Sequence, residues 1–261
     1  MTDERKDQLT AEADGLIEGR NAVIEALRTE ASIDKIFIQK GEVDKTLGHI
    51  ASKARAAGIV VVEADRRKLD GMSRTHAHQG VIALAAVREY VSVDDILADA
   101  AAKNESPLIV VCDEISDPHN LGAIIRTAYC AGAHGVVIPK RGGVGVTGTV
   151  MKASAGAAAR LPIARVSNLA QAIRTIKEHN IFVYCADLGG APLAKTDLSG
   201  PVALVLGSEG GGPGALTRKL CDAAVTLEMA PGQATGVDSY NVSVAAGILC
   251  YDVMRRRLAK K

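Results

Sequence analysis

Apolar positions along the chain change period several times, and each change marks a predicted element. Past a polar leader over about residues 1–15, Val23, Ile24 and Leu27 recur at helical spacing within 19–29. The run IDKIFIQ predicts a strand at 33–39, a charged, alanine-containing segment follows at 43–57, and a second strand is expected at 58–63. Residues 78–87 supply a last strand, which makes the first part a small alternating α/β unit. Polarity then returns, β-branched runs cease and the stretch ends at Pro107, so it reads as a linker containing a short helix. The expected divisions are 16–88, a linker at 89–106, and a larger part at 107–261.

The larger part opens with a buried strand in PLIVVCDE. A helix is expected at 121–131, a strand at 135–139, a helix at 149–159, a strand at 163–166, a helix at 168–179 and a strand at 181–187. VALVLG, AAVTLEM and a final helix from Asn241 to Arg257 complete the alternation. Such a series demands a mostly parallel sheet with helices on both faces, the α/β class. Ligands of these sheets lie beyond the carboxyl ends of the strands, which directs attention to 113–126, 139–148, 206–214 and 227–241.

Composition narrows the function classes. An apolar share of 48% supports packed cores and excludes disorder of the whole chain. With 31 basic against 30 acidic side chains the chain has no general positive field, so any nucleic-acid site must come from local clustering. The five cysteines are far apart and mostly in apolar runs, which fits reduced, buried thiols in an intracellular protein. The N-terminus lacks an apolar signal core and no run is long enough to span a bilayer, so neither export nor membrane insertion is expected and a cytoplasmic location follows. Aromatics at 3%, with no Trp, argue against a base-stacking surface. His76 and His78 would share a face if extended, but no Cys or acid stands at ligand spacing and no metal is expected. No Ser-His-acid set declares itself, which disfavours a hydrolase.

Three constellations fall at the predicted strand ends. In SDPHNLGAIIRTAYCAG, Asn120 stands at a helix start, where it either caps free N–H groups or serves chemistry. Arg126 lies on the same apolar helix and needs a solvent route, an acidic partner or a phosphate. In LGSEGGGPG, Gly207, Gly210, Gly211, Gly212 and Gly214 are more than a plain turn requires, and they allow backbone to approach a ligand closely. Glu209 in that loop either pairs with Arg126 or accepts bonds from a substrate. In the third block Ser239, Tyr240 and Asn241 follow a flexible loop and precede an apolar helix, so Ser239 or Asn241 is a cap, a catalytic group or both. Gly143, Gly145 and Gly148 match the spacing of a dinucleotide loop. The acidic residue expected some 20 positions on is missing, and with Lys140 and Arg141 the segment suits a loop facing RNA or a second protomer, with a plain mobile surface loop as the alternative.

Together NLGAIIRTA, GSEGGG and SYNVSVAA resemble the ordered motifs of the knotted ribose 2'-O-methyltransferase family called SpoU, or TrmH-like, and the likeness runs from about Gly19 onward. Within it the chain is most similar to bacterial enzymes that methylate a guanosine of 23S ribosomal RNA. The resemblance implies a deep trefoil knot in the larger part and a homodimer formed through it. It implies S-adenosylmethionine held by backbone groups around Gly207, Leu227 and Tyr240, with Leu206, Gly210 and Met229 beside them. It credits Arg126 with activating the ribose hydroxyl, with Asn120, Glu209, Ser239 and Asn241 completing the centre. A guanidinium has no acceptor, so the physical reading gives Arg126 a clamp on phosphate and on the developing oxyanion instead of a direct base role. The small unit resembles the ribosomal-protein-like RNA-binding domain of this branch, reading structured RNA, mature or as a large-subunit precursor, by shape and phosphate contacts. DNA is not an expected partner. Transfer RNA methylation and non-catalytic RNA binding are the rival functions. Two departures stand out: Tyr240 where the family usually has leucine, and a longer loop over 229–238.

Overall fold

The computed structural model describes residues 15–29, 31, 33–41, 44–208, 210–230 and 239–260. Glu209 and most of the 229–238 loop lie outside the described residues. Contacts separate the chain into two compact units, one of residues up to Glu89 with Val146–Thr149, the other of Tyr90–Gly145 and Val150 onward.

The smaller unit contains β1 (Leu16–Glu18), α1 (Arg20–Arg28), β2 (Ile33–Gln39), α2 (Lys45–Ala56), β3 (Val60–Ala64), α3 (Arg66–Met72) and β4 (Val81–Ala85). Its sheet runs β1-β4-β2-β3, with β4 antiparallel to both neighbours and β2 parallel to β3. Strand alternation sorts the core into two clusters. Ile36, Ile38, Val81 and Ala83 pack with Val23, Leu47 and Ile50, while Phe37, Ile82 and Leu84 pack with Leu69. Two elements were not expected from the pattern. β1 is three residues long, and α3, RRKLDGM, buries only Leu69, so neither carries a readable period.

The larger unit contains α4 (Val93–Ala102), β5 (Leu108–Cys112), α5 (Pro118–Cys130), β6 (Gly135–Pro139), α6 (Gly148–Ala153), β7 (Ile163–Val166), α7 (Leu169–Glu178), β8 (Phe182–Pro192), β9 (Val202–Leu206), α8 (Ala215–Leu220), β10 (Ala223–Thr226) and α9 (Val242–Leu258). Among the described residues its sheet has the order β10-β8-β9-β5-β6-β7 and every pairing is parallel. The α/β class with a parallel sheet is therefore as expected. β5 and β9 are buried at every position, the pattern of central strands covered on both faces. From β5 the chain moves outward through β6 and β7, then crosses to β8 and returns through β9, so the order reverses between β5 and β9. A reversal of this kind opens a crevice at the carboxyl ends of the two strands.

Several boundaries shift for identifiable reasons. The stretch read as a linker includes α4, started by a capping box between Ser92 and Asp95, and its Val93, Ile96 and Leu97 are buried in one cluster with Ile109 and Val111. Gly135 admits this helix, since a Cβ there would stand 2.5 Å from Ile96 Cδ1. The helix expected at 149–159 stops at Ala153, because Ala155 and Gly156 turn left-handed (φ 49° and 82°) before a single 3-10 turn at Ala157–Ala159. The strand expected at 181–187 continues to Pro192.

Candidate active site

The crevice between β5 and β9 is tied at its base by Asp113. Its N–H donates to Leu206 O at 2.7 Å, and its carboxylate accepts from Gly214 N–H at 2.9 Å. Between these anchors the glycine-rich loop closes on itself. Ser208 N–H donates to Gly212 O (3.2 Å) and Gly212 N–H returns a bond to Ser208 O (3.0 Å). Closure this tight demands glycine at Gly207, where a Cβ would stand 1.9 Å from the carbonyl carbon of Gly212 and from the nitrogen of Pro213. Gly210 and Gly212 take positive φ, 83° and 65°.

A cavity of about 400 Å³ opens beside this loop. Its walls are Leu206, Gly207, Ser208 and Gly210–Gly212 after β9, Val225, Thr226 and Leu227 at the end of β10, and Ser239, Tyr240, Val242 and Ala245 at the start of α9. The fourth wall is Ala186, Asp187 and Leu188 of β8, with Arg218 of α8. The volume falls within the roughly 300 to 1,000 Å³ of small-molecule sites.

Of the residues named for a cofactor, Leu206, Gly207, Gly210, Leu227 and Tyr240 line this cavity and Met229 is absent from its lining. Tyr240 is 41% exposed and its hydroxyl donates to Glu228 O at 3.4 Å. The β8 wall was not anticipated. Its signal was Gly190, where a Cβ would stand 2.5 Å from the carbonyl carbon of Ala224.

Asn120 does not cap its helix. Asp117 does, accepting His119 N–H at 2.8 Å, with Pro118 in the first turn. Asn120 is instead buried inside the helix and its Oδ1 accepts a hydrogen bond from Asn241 Nδ2 at 3.1 Å. Asn241 is the cap of α9, its Oδ1 accepting Ser243 N–H at 2.9 Å and Ser243 Oγ–H at 2.6 Å. One hydrogen bond thus joins α5 to the residue that follows Ser239 and Tyr240 in the cavity wall. Arg126 stands on the exposed face of α5, two turns beyond Asn120, and makes no ion pair with a described residue. Its solvent route is open, and pairing with Glu209 falls outside the described residues.

The remaining candidates have structural explanations. Gly143, Gly145 and Gly148 take no part in the cavity. His76 turns left-handed (φ 54°), so it does not extend beside His78. His78 is buried, accepts Gly80 N–H on Nδ1 at 3.0 Å, and therefore carries its proton on Nε2, 2.9 Å from Asp70. Among the described residues no group of three His, Cys, Asp or Glu could hold a metal ion. Cys112, Cys185 and Cys250 are buried, whereas Cys130 is exposed and Cys221 partly so. Loss of solvation pushes the Cys112 and Cys250 thiols up to about 12, so they stay protonated. No described helix is long and apolar enough to cross a membrane.

Comparison with known proteins bears directly on this arrangement. Residues 107–251 match the SpoU rRNA Methylase family, and residues 16–91 match the RNA 2'-O ribose methyltransferase substrate binding family. YacO of Bacillus subtilis (strain 168), assigned to the TrmH family of tRNA/rRNA methyltransferases, is 45% identical over 92% of this chain and 94% of its own length. The 23S rRNA (guanosine-2'-O-)-methyltransferase RlmB of Ralstonia nicotianae is 39% identical over 93% of this chain and 96% of its own. The crystal structure of an AdoMet-bound rRNA methyltransferase from Sinorhizobium meliloti superposes with a TM-score of 0.57 at 27% identity, covering 92% of this chain and 87% of the other. The chain belongs to the SpoU rRNA methylase family, as an S-adenosylmethionine-dependent RNA ribose 2'-O-methyltransferase.

Proposed function

We propose that this protein methylates the ribose 2'-hydroxyl of a guanosine in 23S ribosomal RNA or its large-subunit precursor, in the cytoplasm. The observation that carries this choice is the match to the Ralstonia guanosine methyltransferase over nearly the full length of both chains, small unit included. In this reading the smaller unit recognises structured RNA and the larger one performs the transfer.

The cavity beside Gly207 fits S-adenosylmethionine. It is large enough, its wall at 206–212 is mostly glycine, Leu206, Val225, Leu227 and Val242 add an apolar lining, and Asp187, Thr226 and Ser239 supply polar groups beside it. When bound, the cofactor supplies a methyl group activated on a sulfonium. This chain's residues orient the acceptor and handle its charge. Arg126 offers five N–H donors on the exposed face of α5, positioned to grip RNA phosphate and the developing 2'-oxyanion, while the proton leaves to solvent. Asn120 and Asn241 lock α5 to the start of α9, and so hold Arg126 in register with Ser239 and Tyr240. Ser239 completes the centre from the cavity wall and Glu209 is assigned to the same chemistry, while Met229, outside the cavity lining, is given no part in holding the cofactor.

The larger unit forms a deep trefoil knot through which α9 is threaded, and it pairs with a second copy through that helix. Support for pairing comes from Val244, Ile248 and Tyr251, an apolar stripe at i, i+4 and i+7 that is 50%, 37% and 59% exposed. Ile248→Asp would halve the mass seen by light scattering, and an unchanged mass would sink this interface.

The function is tested by transferring labelled methyl from S-adenosylmethionine to total bacterial RNA and to ribosomal particles, with wild type and Arg126→Ala, then mapping the modified ribose. Label on one 23S guanosine, lost by about a hundredfold or more in the variant, is the expected result. Label on transfer RNA would replace the substrate, and a folded, RNA-binding protein that transfers no methyl would overturn the reading.

A further inference from the structure

The wall formed by β8 is held differently from the rest of the cavity. Consecutive residues Ala224 and Val225 of β10 pair with Cys185 and Ala191 of β8, so residues 186–190 leave the ladder as an excursion without partners in β10. One end of this excursion is pressed against the sheet, since a Cβ on Gly190 would stand 2.5 Å from the carbonyl carbon of Ala224. Its middle is held by an ion pair in which Arg218 Nε lies 2.9 Å from Asp187 Oδ2. The same guanidinium lies over the glycine-rich loop, with its terminal nitrogen 3.5 Å from both Gly211 O and Pro213 O. A Cβ built on Gly212 would meet that nitrogen at 3.3 Å. The ladder between β8 and β9 ends at Cys185 and Val205, so Arg218 touches two cavity walls just beyond their last paired residues, and Asp187 is its counterpart on the second wall, 16% exposed.

We propose that Arg218 and Asp187 are positioning residues that fix the width of the cofactor cavity by latching the β8 excursion to the glycine-rich loop. The inference rests on the placement of S-adenosylmethionine in this cavity. Beyond the last pair, Cys185 with Val205, the two segments are no longer tied by the ladder, and binding between them must restrict both. A latch already closed in the free protein removes part of that cost and lowers the dissociation constant without touching the reacting atoms. Arginine suits the task because its planar fork reaches a carboxylate through one edge and carbonyls through another, which a lysine ammonium cannot do from one position.

The test measures binding of S-adenosylmethionine and of its uncharged product, S-adenosylhomocysteine, by calorimetry. Variants are Arg218→Ala, Arg218→Lys, Asp187→Asn and the exchanged pair Arg218→Asp with Asp187→Arg, each checked by thermal melting. The single variants should weaken both ligands equally, by about three- to tenfold, as expected for a half-exposed ion pair. KM for the cofactor should rise by the same factor while kcat at saturation holds, and the exchanged pair should recover part of the loss. Unchanged affinity in folded Asp187→Asn would overturn the latch. So would a loss confined to the charged ligand, because Asp187 would then be reading the sulfonium itself. Ultraviolet crosslinking of labelled S-adenosylmethionine to wild type separates the two levels. Label outside 186–188, 206–212, 225–227 and 239–245 would remove the site placement, whereas label within them with unaffected variants would remove only the latch.

Discussion

The segment leading into β4 in the smaller unit and the loop leaving β9 in the larger one both fold tightly at a strand end, and they are secured by opposite means. In the first, the Glu18 carboxylate receives Ser73 Oγ–H at 2.5 Å, Arg74 N–H at 2.8 Å and Thr75 Oγ1–H at 2.8 Å, while His78 bonds Asp70 and Gly80. In the second, Ser208 and Gly212 close the loop through their own backbone, and Asp113 reaches in from the neighbouring strand. Side-chain staples fill the space that they organise. Backbone closure over glycine leaves space beside it, and the cavity lies there. The difference teaches where each unit tolerates change: the stapled segment should fail gradually, the glycine loop abruptly.

The sharpest way to break this contrast is Gly207→Ala. With its Cβ at 1.9 Å from backbone atoms the loop must open, so S-adenosylmethionine binding should be lost by calorimetry. Urea unfolding should report a cost of about 2–3 kcal/mol. Retained binding would show that the loop is not rigid in the way described. Asn241→Ala comes next. It removes the α9 cap and the bond to Asn120, and should cost about 1 kcal/mol of stability with a larger fall in methyl transfer than in RNA affinity. Equal falls in both would detach Asn241 from the catalytic arrangement.

The smallest effect belongs to the stapled segment and depends on pH. Partial burial works to raise the Glu18 pKa, but the hydrogen bonds from Ser73, Arg74 and Thr75 outweigh it and hold the carboxyl near about 2. A folded value below the unfolded one means that the charged form stabilises the fold. Its contribution is complete above about 4.3, the unfolded glutamate value, and disappears as pH falls toward 2. After solvent screening this amounts to about 1 kcal/mol at neutral pH. Glu18→Gln should therefore lower stability at pH 7, match wild type near pH 2, and leave S-adenosylmethionine binding unaltered. A pH-independent difference would remove the charged staple.

What the pattern of residues reveals follows from the range of the forces involved. β5 and β9 are continuous apolar runs whose burial on both faces is written in their composition, and their positions were legible, as was the glycine loop between β9 and α8. The start of α5 was legible too in Asp117-Pro118, a cap followed by a first-turn proline, although Asn120 drew attention instead. The Asn120–Asn241 bond was not, because nothing local in either residue encodes a partner 121 positions away. Nor was the β8 excursion, which exists only as a register change against a strand formed later in the chain. Asp187 and Arg218 lie outside the three motif blocks, and packing alone brings them together at the cavity.

The bond between Asn120 and Asn241 also sets an order in time. During synthesis at roughly 5–20 residues per second, N-terminal domains fold as units while later segments are still being made. The small unit and the strands through β10 are available early, but the cavity lacks one wall and Asn120 lacks this partner until α9 has been released and docked. A nascent chain can therefore present its RNA-recognising unit beside the translating ribosome while remaining unable to modify anything, and competence arrives as a single late event.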